Sequence, residues 1–187
     1  MASIYMSLDD LESAEKWMES AKERVFREGL EYALGRWHSY YGRLEELRGD
    51  LESAMESYEK GLEIHMRGTR MLRARGTLYR MARLEVKMFN PSKENQLDEH
   101  AGPHMKRYEE EVSGKDLPGH EAQLLLLKAE LRMKQGRHEE GQQIMESVLE
   151  ITDYPALENL HSEASATKES WIKEGVIPAR ARRRSSN

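Results

Sequence analysis

The chain contains no cysteine, which removes disulfides, thiolate zinc sites and cysteine nucleophiles together. Any metal site would have to use His and carboxylates. No apolar run approaches the length needed to cross a membrane, and Met1 to Asp10 has neither the positive start nor the apolar core of a signal peptide. The expected location is therefore the cytoplasm, with no membrane partner. Only 5 Pro and 2 Phe occur among 187 residues, while Leu, Glu, Ala, Arg and Met are common. With 38% hydrophobic and 34% charged residues, that balance predicts an all-α chain of one domain or one short repeat array.

Catalytic signatures are missing as well. The sequence has no phosphate-binding glycine loop, nucleophile elbow or zincin pair. His100 and His104 are separated by Pro103, which breaks any shared helical face. The Glu158 to His161 spacing suits a carboxylate-bridged di-metal bundle only when a second copy exists, and there is none. The stretch from His138 to Gly141 reads as the acidic first turn of a helix. The sequence therefore predicts no enzyme, no metal and no cofactor.

The charge balance differs between the body and the end of the chain. The net charge is -5, and Arg180, Arg182, Arg183 and Arg184 all lie in the last eight residues, so the rest of the chain stands at -9. Such an acidic body binds nucleic acid poorly, and only the tail could serve for it. The tail, 175–187, reads as basic and disordered, and Arg182, Arg183 and Ser185 have the spacing of a basic-directed kinase site.

What is present is a repeat. The stretch DLESA occurs at Asp10 to Ala14 and again at Asp50 to Ala54. A first helix is expected from Ser7, with Ser7 and Asp10 in capping-box spacing, to Gly29. Others follow from about Glu31 to Arg48, closed by Gly49, from Leu51 to about Met66, and on to about Phe89. Residues 89–102, with Asn90, Pro91 and Ser92, read as an inserted loop. Further helices are expected over Pro103 to Val112, Glu121 to Gln135, Arg137 to Ile151 and Pro155 to Glu174. Small residues mark where helices approach: Gly42, Ala82 and Ala129 in helices that open hairpins, Ala14, Ala54, Ala101 and Gly141 in those that close them. Each step from a closing marker to the next opening one is 28 residues. The repeat is thus about forty residues long.

These features resemble the tetratricopeptide repeat family in a long-repeat form. The best copy is His38, Tyr41 and Gly42, then Gly49, Asp50, Ala54, Tyr58, Gly61 and Leu62; another is Leu125, Ala129, Gly136, Gly141, Met145 and Leu149 with Pro155 beyond. Glu45, Glu85 and Arg132 hold the place where the family has an aromatic. The resemblance implies antiparallel helical hairpins stacked as a right-handed solenoid over residues 1–174, with a groove that binds another protein or peptide. By resemblance, Arg43 and Arg83 point into that groove. Arg36 and Lys87 lie within helical reach of them. Such a cluster would clamp a carboxylate or an acidic segment, unless it is a solvated face or pairs with Glu45 and Glu46 or with Glu109 to Glu111.

Arg73, Arg80, Arg83 and Lys87 form one basic stripe on a helical wheel. Trp17, Trp37, Tyr40, Tyr41 and Tyr58 read as hairpin packing. The expected function is a scaffold or adaptor. The alternative is a regulatory or sensor module of a transcription regulator or signalling ATPase, and the first helix, resembling a closing helix without its opener, hints at truncation or a missing partner. Its apolar face of Leu11, Ala14 and Met18 would favour self-association.

Overall fold

The computed structural model describes residues 1–68, 70–93 and 98–178. The described residues form nine α-helices and no strands: α1 (Ala2–Ser7), α2 (Leu11–Glu28), α3 (Glu31–Arg48), α4 (Leu51–Arg67), α5 (Met71–Met88), α6 (Pro103–Val112), α7 (Pro118–Lys134), α8 (His138–Ile151) and α9 (Glu158–Lys173), with one 3-10 turn at Pro155–Leu157. The all-α, tetratricopeptide-like build is thus realised as helices that pack on their neighbours in sequence. Two compact units result. The first comprises Met1–Met88 and Gly102–Glu111, the second Phe89–Ala101 and Val112–Asn187.

The two DLESA copies have the same local structure. Asp10 and Asp50 are N-caps with nearly equal backbone angles, and their carboxylates accept hydrogen bonds from Ser13 N at 3.0 Å and Ser53 N at 3.1 Å. Each occupies an otherwise unsatisfied amide at the start of a helix. Gly29 and Gly49 close the preceding helices at φ 60° and 86°, a conformation that a Cβ disfavours.

In the first unit α3 and α4 form the tightest hairpin. A Cβ on Gly42 would stand 3.0 Å from the Ala54 carbonyl oxygen and 2.9 Å from the Tyr58 ring, so the helices meet at the two predicted small markers. Tyr58 is fully buried, and its hydroxyl donates to Glu46 at 3.0 Å, which offsets the cost of taking a polar group from water. Met6, Ala14, Met18, Trp37 and Leu44 form a buried cluster, and Trp37 Nε1 donates to the Met18 carbonyl at 3.0 Å. In the second unit Leu126, Ala129, Met133, Met145, Val148, Ala164 and Trp171 form the core of α7, α8 and α9. There a Cβ on Gly141 would stand 3.1 Å from the Ala129 carbonyl oxygen, again at predicted markers.

The three places where the family has an aromatic carry polar side chains that bind their own unit. Glu45 accepts from Ser57 Oγ at 2.6 Å. Glu85 accepts from the backbone N–H of His104 at 2.9 Å and of Met105 at 2.8 Å, and meets His104 Nδ1 at 2.7 Å, so α5 caps α6 from outside it. Arg132 donates to the Asp98 carbonyl at 3.2 Å and to Gln135 at 3.0 Å.

Several expectations are corrected. The first helix does not begin at Ser7: Ser7 ends the short α1, Asp10 is a plain N-cap, and Asp9 turns the chain at φ 59°. Ala14 and Met18 are covered by α1 and α3, so the N-terminal helix has no unpaired face there. Ala101 lies in a bend ahead of α6, not in a closing helix, so the step from 101 to 129 does not join two helical positions. α7 starts at Pro118, because proline at the first helical position loses no hydrogen bond. Finally, Ile177 is buried in the second core, three residues past the expected edge of the domain.

Candidate functional site

The helices α3 and α5, each an opening helix, bring a set of arginines and tyrosines together in the first unit. On α3, Tyr32, Arg36 and Tyr40 follow at intervals of four and so share a face. The Arg36 guanidinium lies 5.5 Å from the Tyr32 ring centroid and 5.6 Å from that of Tyr40, and it donates to both hydroxyls at 3.4 Å. Arg70, just ahead of α5, stacks on the same Tyr32 at 5.3 Å. Its guanidinium lies against Gly68, whose lack of a Cβ admits it. Arg73 completes the set: Arg36 first, then Arg73, hold the Tyr32 hydroxyl below the usual phenol range.

Beneath these groups sits a small polar core. Ser39 Oγ donates to the Gly35 carbonyl at 3.0 Å and Thr77 Oγ1 to the Arg73 carbonyl at 3.1 Å. The two hydroxyl oxygens are 3.3 Å apart, and Ser39 Oγ is 3.4 Å from His65 Nε2. His65 is 1% exposed, and its Nδ1 packs over Gly35 with no hydrogen-bond partner. Burial above all, then Arg70, Arg73 and Arg36, lowers its pKa.

Some arginines of the chain pair with carboxylates and others do not. Arg24 pairs with Glu28, Arg48 with Glu15, Arg67 with Glu63 and Arg137 with Glu140. Among the described residues, Arg36, Arg70 and Arg73 pair with no carboxylate. Arg36 and Arg70 thus share the Tyr32 ring and Arg73 acts on its hydroxyl, with no carboxylate of the described residues paired to any of the three.

The expected site residues fare differently. Arg36 is at the centre of the cluster. Arg43, partly exposed, continues along α3, and Arg83 and Lys87 are exposed on α5; neither Arg83 nor Lys87 is without a partner. Arg36 and Arg43 make no hydrogen bond or ring contact with Arg83 or Lys87. The expected basic stripe divides, since Arg73 acts on Tyr32 while Arg80 acts on Tyr58. Arg180, Arg182, Arg183 and Arg184, with the kinase-site spacing, lie outside the described residues.

Among the aromatics, Trp37 and Tyr41 stack at 4.8 Å and Tyr58 fills the hairpin, as expected of packing. Tyr40 instead serves Arg36, and Trp17 remains 46% exposed. Arg70, part of the basic run from Arg67 to Lys87, and Tyr32 do not stand among the expected contact residues. The alternation of Tyr, Arg and Tyr four apart was legible on α3; Arg70 was not, because it precedes the helix and falls on no wheel.

His161 Nδ1 is 3.1 Å from Thr152 Oγ1, which ties the Glu158 and His161 pair to the α8 end. Among the described residues no three His, Asp or Glu side chains gather as a metal site would require. None of the described helices is long and apolar enough to cross a membrane. The second unit has an open apolar cavity of about 630 Å³ lined by Pro118, Ile151, Tyr154 and Leu157, with Glu150 as its one charged lining residue.

The tetratricopeptide repeat profile matches residues 1–24, which span α1, its turn and most of α2. No curated protein and no solved structure matches the chain.

Proposed function

We propose that the chain, a tetratricopeptide-like helical repeat protein, is an adaptor that takes a segment of another protein on the α3 and α5 face of its first unit. Tetratricopeptide repeats in general serve protein–protein interaction, and the hairpin build suits that role. The observation that carries the finer reading is the set of Arg36 and Arg70 held against Tyr32 and Tyr40, with Arg73 acting on the Tyr32 hydroxyl and no carboxylate of the described residues paired to any of them. Three guanidiniums gathered about one phenol without a carboxylate of the described residues, in a chain of net charge -5, suit an external anion. Arg43, Arg83 and Lys87 extend the contact surface along the same two helices.

The experiment is a pull-down from host lysate at moderate salt, comparing wild type with Arg36→Glu plus Arg73→Glu after circular dichroism shows both folded. A protein retained by the wild type and lost by the variant supports the reading. If the same proteins survive the charge reversal, the face is not the binding surface. The regulatory reading, in which the same face senses a partner for an attached effector, predicts the same loss with a change in effector output.

A further inference from the structure

We infer that the Arg36, Arg70 and Arg73 cluster binds a phosphorylated side chain of the partner protein. The inference rests on the adaptor reading above and narrows its ligand. Charge comes first. Three guanidiniums act on one phenol, and no carboxylate of the described residues pairs with them. A single carboxylate would leave two charges unbalanced, whereas a phosphate monoester carries close to two negative charges at pH 7.

Shape points the same way. A planar carboxylate accepts two guanidinium forks, while a phosphate offers three oxygens in a tripod to donors that arrive from different directions. Arg36 arrives from α3, Arg70 from the segment ahead of α5, and Arg73 from the first turn of α5. Arg36 also lies between two tyrosine rings, which restricts its motion before binding and lowers the entropy lost on capture.

The rings argue against a nucleotide. Arg36 and Arg70 both cover Tyr32, and Arg36 covers Tyr40. A base that stacked on either ring would compete with the arginine already against it, and stacking is the usual means of holding one. Two adjacent carboxylates on a partner would supply the charge without the tripod, and the test separates them from phosphate.

His65 gives a local reporter, since all three arginines act on it. Its ring resonance is followed by NMR at constant ionic strength while inorganic phosphate, then acetate, is added at pH 7.5. The expected result is a saturable shift with phosphate, absent with acetate, and weakened about tenfold or more by Arg73→Gln. In parallel, the lysate pull-down is repeated after phosphatase treatment, and the partner should disappear. If inorganic phosphate gives no saturable shift, or acetate matches it, the inference is overturned. A partner that survives phosphatase yet is lost by Arg36→Glu plus Arg73→Glu also overturns it, and leaves the adaptor reading standing. A partner that survives both treatments removes the two together.

Discussion

The hairpins α3/α4 and α7/α8 place their backbones in contact in the same way and use their arginines in opposite ways. In each, a glycine meets the carbonyl oxygen of an alanine across the pair, Gly42 against Ala54 and Gly141 against Ala129. In the second unit, however, Arg132 is buried and bonded to Asp98 and Gln135. In the first, Arg36, with Arg70 and Arg73 beside it, holds only tyrosine. One repeat scaffold therefore supports an arginine that stabilises the fold and arginines available to a ligand. Which of the two a position becomes depends on whether an acceptor from the chain reaches it.

Substitutions can break this comparison. The largest effect is expected at Gly42→Ala, whose new methyl meets a backbone oxygen and a rigid ring; it should cost about 1–3 kcal/mol. Gly141→Ala should cost less, because the nearest atoms belong to the flexible Met133 side chain. Chemical denaturation of both variants checks the order, and equal losses would contradict it. Arg132→Ala should follow, at about 1–3 kcal/mol, since it leaves the buried Gln135 amide oxygen without a donor. Asp50→Ala and Asp10→Ala should each cost about 1 kcal/mol, and their near equality would sharpen the claim that the repeated motif is one capping device used twice.

A pH effect is expected in the first unit. The folded pKa of His65 is lowered by burial and then by Arg70, Arg73 and Arg36, so the unfolded chain takes up the proton first as pH falls. Its contribution to stability is complete above about pH 6.5 and is lost as pH drops from there through the lower folded value. Thermal midpoints measured from pH 7.5 to 5.5 should fall less steeply in His65→Gln than in the wild type. His38, also lowered by burial and then by Lys60, acts in the same direction. The smallest effect belongs to Arg73→Ala, an exposed residue with no ion pair, which should shift stability by no more than about 0.5 kcal/mol.

Most of the fold was legible because helix ends carry local signals. Gly29, Gly49 and Gly136 adopt left-handed φ where the sequence had placed stops, and α3 and α6 have the expected bounds. Errors arose where an end depends on a neighbour. Ile177 is ordered by contact with the Trp171 core, which periodicity does not record. The site was half legible for the same reason. Helical spacing could put Arg36 between two tyrosines, but it could not bring Arg70 and Arg73 to Tyr32, which depends on how α3 and α5 lie across α4.

The most direct measurement sets the two kinds of arginine side by side: thermal unfolding of Arg36→Ala plus Arg73→Ala and of Arg132→Ala, with partner retention scored for both at a temperature where each is folded. The account predicts that the first variant keeps the wild-type midpoint and loses the partner, while the second loses several degrees and keeps it. A midpoint that falls in the first variant as far as in the second would show that its arginines serve the fold, and would contradict the account.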